Sequence, residues 1–273
     1  MKHVFVAFTV LAFISITSVF AQTRETRNVG TFTKLSFRVP GKLFLRQGSP
    51  QKVEIEGSKD VLAEVDTELS GDKLTIGHDG GRWMDWHWGN DDKVNVYITV
   101  KDLNSIAVAG SGDLIAETKF TAADLELNVS GSGSLKIEAD ASGLMSVSVS
   151  GSGDIDLTGK SPDYASNVSG SGKIVSALTI GNRAEFTVSG SGKIIASGSA
   201  KRVRTSVSGS GRVQAADLVT NTCDVRISGS GDVLIEVRDE LEAHITGSGS
   251  VTYKGSPTKV NSHASGSGKV RKM

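Results

Sequence analysis

The chain has 273 residues, with 30 basic and 30 acidic side chains, 32 glycines and one cysteine. The balanced charge provides no phosphate-binding field, which argues against a nucleic-acid partner. A single cysteine cannot close an intrachain disulfide, and the length suits one large β domain.

In chain order, Met1-Lys2-His3 is followed by an almost wholly apolar run from Val4 to Val19, and small residues stand at Val19 and Ala21. That is the pattern of a secretory signal peptide over residues 1–21. The expectation is therefore an exported protein of the periplasm, cell surface or extracellular space, with no membrane span after cleavage.

Residues 22–102 alternate in the manner of half-buried strands: Leu35, Phe37 and Val39; Val53 and Ile55; Leu74 and Ile76; Val94, Val96, Ile98 and Val100. Ser58 to Val65 reads equally as one helical turn or a strand. This part is expected to form less regular starting coils and a cap, because an open solenoid end exposes unpaired N–H and C=O groups. Within it, Trp83, Trp86 and Trp88 are all the tryptophans of the chain. They make a candidate ligand-binding platform, because indole rings offer large contact area and a donor N–H; packing onto the cap is the alternative. The His and Asp residues around them lack metal-ligand spacing, so no metal is expected.

From residue 103 to 273 the chain is a repeat. Gly-Ser-Gly occurs nine times, first at Gly110 and last at Gly266, at spacings of 18 to 21 residues. The surroundings recur too, as in Val149 to Ile155 (VSGSGDI) and Val188 to Ile194 (VSGSGKI), with apolar residues alternating on both sides. A second turn signal, such as Gly159, Gly198 or Asn221, falls midway in most units. One unit is thus two short strands and two turns, which buries little alone and a continuous core when stacked. The fold predicted is all-β: a right-handed parallel β-helix, or solenoid, with coils of about 20 residues. Cys223 lies on the same alternating face as Val225 and Ile227 and is expected to be a small core residue. The triplets should form a ladder along one edge, with each Ser free to bond to its neighbour.

Phe32-Thr-Lys-Leu-Ser-Phe, Leu74-Thr-Ile, Val96-Tyr-Ile-Thr-Val and Leu103-Asn-Ser-Ile-Ala-Val-Ala-Gly-Ser-Gly-Asp-Leu follow one another in the chain. In that order they resemble the bacterial family described as "putative auto-transporter adhesin, head GIN domain", over nearly all of the sequence from about residue 30 onward. The resemblance implies a β-helix-like fold and an adhesin role. Its name also implies a translocator, but repeats run through to Gly268, and a self-transporting membrane barrel is not expected.

The sequence carries no recognisable enzyme motif. Lys173 and Lys193 follow Gly-Ser-Gly, but Ile174 and Ile194 stand where a phosphate loop needs Ser or Thr. The position after each triplet reads Asp113, Ser134, Asp154, Lys173, Lys193, Arg212, Asp232, Ser250 and Lys269, which is no calcium ladder. No carboxylate cluster of the kind used for polysaccharide cleavage stands out. Lys173, Lys193 and Arg212 hold the same outward position on three consecutive coils and form a second candidate site, for an anionic ligand; a solvated face is the alternative. The function expected is a non-enzymatic, adhesin-like binding module of the bacterial envelope, without cofactor, whose partner is a glycan or an envelope or host protein. A structural envelope scaffold is the alternative, and a polysaccharide-acting enzyme ranks behind both.

Overall fold

The computed structural model describes residues 23–77 and 94–273. Its repeat region is a β-solenoid of about eight coils, with coils about 20 residues apart. Strand Leu144–Gly151 runs into a Gly-Ser-Gly corner, and Asp154 opens the return strand. From there backbone pairing continues through the second corner, giving the long strands Asp154–Gly170, Lys173–Gly190, Lys193–Gly209, Arg212–Gly229 and Asp232–Gly247.

All pairings between successive coils are parallel, and like residues stack. Val149, Val168, Val188, Val207, Ile227 and Ile245 form one inward column; Ile155, Ile174, Ile194, Val213, Val233 and Val251 form another. Every residue of both columns is buried. Alternation with period two therefore places each aliphatic side chain against its counterparts above and below, and burial accumulates coil by coil. Cys223 is buried in the same core.

The triplet corner works through its backbone. The Ser152 N–H donates to Gly131 O at 2.9 Å, and Ser171 N–H donates to Gly151 O at 2.9 Å. The ladder expected of the serines thus exists, but the amides make it, while the hydroxyls face solvent. The first glycine of each triplet lies in the left-handed region, as at Gly151 with φ +112°. The second is required by close approach: a Cβ on Gly153 would sit 2.5 Å from both Gly133 O and Val129 Cγ1.

The N-terminal part stacks on the repeats in a different order from its sequence. It comprises β1 (Thr23–Thr26), β2 (Lys34–Phe37), β3 (Lys42–Gln47), β4 (Lys52–Gly57), helix α1 (Lys59–Glu64), β5 (Asp66–Ser70), β6 (Lys73–Gly77) and β7 (Asn95–Val100). The first triplet coil follows as β8 (Ser105–Gly110) and β9 (Asp113–Ala116). Strand β2 lies between β6 and β8, and β3 between β7 and β9, all parallel. The β2–β3 coil is therefore sandwiched by two later ones. Beyond it the pairing turns antiparallel: β5 with β6, β4 with β7, and β1 with β4. Helix α1 resolves the open reading of Ser58 to Val65. Ser58 caps it by accepting from the Val61 N–H, Asp60 sits in its first turn, and it buries Val61 and Leu62.

Candidate functional site

Each inward position of a coil leaves its neighbours facing out, so stacking turns every outward position into a column. The position after the triplet runs Asp113, Ser134, Asp154, Lys173, Lys193, Arg212, Asp232, Ser250 and Lys269 in unbroken register. The structure thus brings Lys173, Lys193 and Arg212 together on adjacent strands, about 4.8 Å apart. The two ends of this trio are relieved. Lys173 Nζ lies 3.7 Å from Asp154 Oδ2, and Arg212 Nε lies 3.4 Å from Asp232 Oδ2. These pairs are exposed and weak. Lys193, in the middle, has no ion-pair partner among the described residues. Beside this row runs a second outward column in which Val175, Ile195 and Leu234 are half-buried, interrupted by Gln214. The surface is a cation row flanked by aliphatic side chains.

Trp83, Trp86 and Trp88 lie outside the described residues, so the two candidate sites are not placed relative to each other. Among the described residues no group of three or more His, Cys, Asp or Glu side chains is arranged to hold a metal ion. In the same residues no helix is long and apolar enough to cross a membrane.

Two buried groups are chemically quiet. Burial raises the Cys223 thiol well above its ordinary pKa, aided by Asp224, which keeps it protonated and unreactive. Burial pushes the Tyr164 phenol up to about 12. The Ser176 and Ser166 hydroxyls lie near enough to temper that rise, but both donate to backbone carbonyls and neither meets hydrogen-bond geometry with Tyr164 Oη, which stays unpaired in the core.

Sequence reasoning missed a second charged surface, on the strand half before each triplet, where Arg183 and Arg202 are register partners. Their spacing of 19 residues equals one repeat. The signal was present, but it is obscured because the second corner changes length from coil to coil.

The family model described as "Putative auto-transporter adhesin, head GIN domain" matches residues 31–182 and 167–257. The chain belongs to this family. Similar solved structures include a protein from Parabacteroides distasonis described as a "putative lipid binding protein", with 20% identity, 92% of this chain and 96% of that chain covered, and TM-score 0.70. A "putative adhesin" from Parabacteroides merdae has 20% identity, 92% and 96% coverage, and TM-score 0.64. A "putative adhesin" from Parabacteroides distasonis has 23% identity, 93% and 98% coverage, and TM-score 0.63. At these identities the likeness shows that the GIN-domain chain shares their fold. No curated relative matches the chain.

Proposed function

We propose that this GIN-domain chain is a non-enzymatic, adhesin-like binding module, exported under the direction of residues 1–21 and acting at the bacterial envelope. The observation that carries the reading is the Lys173–Lys193–Arg212 row. Like charges in register on adjacent strands repel, yet here three stand together and the middle one has no acidic partner among the described residues. Such a row fits an anionic partner, and the aliphatic column beside it offers apolar contact to the same partner. Membership of an adhesin family supports the same role. The Trp83–Trp86–Trp88 segment is the second recognition element of the proposal, for a glycan or an envelope or host protein.

The test is a glycan array and a pull-down from envelope fractions with residues 22–273, beside the variant K173Q/K193Q/R212Q. Binding that the charge variant weakens about tenfold or more supports the row as the contact. Absence of any partner in both assays would instead favour a structural scaffold. Fractionation of intact cells tests export, and recovery of the protein in the cytoplasm with residues 1–21 retained would overturn that part.

A further inference from the structure

The strand half that precedes each triplet carries a groove on its outer side, with a cavity volume of about 700 Å³. Its origin is local. Between Thr179 and Arg183 one coil holds three residues where the next holds two, Ala200 and Lys201, so the register slips and Asn182 stands out at the groove's edge. Below it, Arg183 and Arg202 occupy the same column on adjacent strands. Both are exposed, and neither has an ion-pair partner among the described residues.

Apart from Arg204 and neutral residues, the rest of the lining is acidic, beginning with Asp163, the register partner of Arg183 on the preceding coil. Asp224 receives Arg204 at 3.5 Å and Arg226 at 3.3 Å, both on Oδ2. Its other oxygen, Oδ1, is buried and accepts no hydrogen bond. Closed off from solvent, Oδ1 is out of a ligand's reach, and Asp224 acts in the groove by holding Arg204 and Arg226. Glu240 and Glu242 continue the acidic side, already engaged by Lys259 at 2.6 Å and His244 at 3.0 Å. From Arg202 to Glu240 is two coils, roughly 10 Å.

We propose that this groove binds an acidic sugar, a hexuronic acid unit within an oligosaccharide. A ligand that matches it needs one anionic group for the two guanidiniums, whose planar donors pair with a carboxylate in bidentate fashion. It also needs hydroxyl donors for the exposed carboxylates of Glu240 and Glu242. Inorganic phosphate meets only the first requirement, because it has no ring hydroxyls to reach the carboxylates; a neutral sugar meets only the second. A sugar carboxylate with ring hydroxyls meets both. The inference goes beyond the proposed role, since it uses neither the Lys193 row nor the tryptophans.

The experiment is calorimetric titration of residues 22–273 with oligogalacturonate, with a neutral galacto-oligosaccharide of the same length, and with inorganic phosphate. The expected result is binding of oligogalacturonate at least about tenfold tighter than either control, lost by about tenfold or more in R183Q/R202Q. Arg183 and Arg202 are exposed, so R183Q/R202Q should melt as the parent does, and its loss of binding is then not a loss of fold. Three results would overturn the inference: no binding of oligogalacturonate, phosphate binding as tightly as the sugar, or full binding in R183Q/R202Q. If K173Q/K193Q/R212Q abolishes binding while R183Q/R202Q retains it, the acidic-sugar groove falls and the adhesin-like reading stands.

Discussion

A Cβ added at Gly153 would meet a carbonyl oxygen and a valine methyl of the preceding coil, so Gly153→Ala must push two coils apart. It is expected to cost about 1–3 kcal/mol, as overpacking in a filled core does. Gly151→Ala meets backbone strain as well, since φ is +112° there, and should cost at least as much. Ser152→Ala should stay within about 0.5 kcal/mol, because its amide carries the ladder and its hydroxyl faces solvent. Urea unfolding midpoints of the three variants test the contrast; equal costs for all three would refute it. Tyr164 gives a pH-dependent prediction. Its phenol has a raised folded pKa of about 12 against an ordinary value of 10.0, so the stability linked to its neutral form is complete below pH 10 and is lost as the pH climbs toward 12. Tyr164→Phe should be neutral or stabilising by about 1 kcal/mol at pH 7, because it removes an unpaired buried hydroxyl. It should also escape roughly 2–3 kcal/mol of alkaline loss. Parallel loss of stability in both proteins between pH 10 and 12 would refute the linkage.

At the scale of the strand, a column of identical environments turns one substitution into a test of the stack. Val188 is fully buried between Val168 and Val207. Val188→Asp therefore places a charge where no partner or water reaches, and a cost above about 4 kcal/mol is expected. Asp154→Ala removes only an exposed pair with Lys173 and should change stability by less than about 0.5 kcal/mol. Circular dichroism melts separate the two, and a soluble, native-melting V188D would refute the inward assignment. These strands were legible in the sequence because one rule, period-two alternation around Gly-Ser-Gly, repeats nine times. Val147, Ile174, Ile194 and Ile227 face inward as that rule requires, and Cys223 is buried beside them. The groove was not legible for the converse reason. It arises where the repeat is broken by one extra residue at Asn182, and a length change at a corner does not say which way the neighbouring side chains are displaced.

For the whole molecule, the N-terminal part shows where periodicity stops informing. Leu35, Phe37, Leu74, Ile76, Val96 and Ile98 alternate like the repeats and are buried like them. Yet β2 lies between β6 and β8, so the coil order in space is not the order in sequence. Alternation assigns a face to each residue but no neighbour to each strand, and the antiparallel pairs β5–β6 and β4–β7 carry no motif of their own. This arrangement bears on Trp83, Trp86 and Trp88, which fall between β6 and β7. Each of those strands is fixed by pairings on both sides: β6 by β2 and β5, and β7 by β3 and β4. Both strands thus have their register set by described partners. Since stability in a stacked fold is mostly nearest-neighbour, W83A/W86A/W88A should leave the main unfolding transition within about 0.5 kcal/mol of the parent. The same variant should lose binding to a partner that the parent captures from envelope fractions. A large downward shift of the transition would instead make the three rings part of the cap and withdraw them from recognition. Unchanged stability together with unchanged binding would leave recognition to the charged surfaces of the coils.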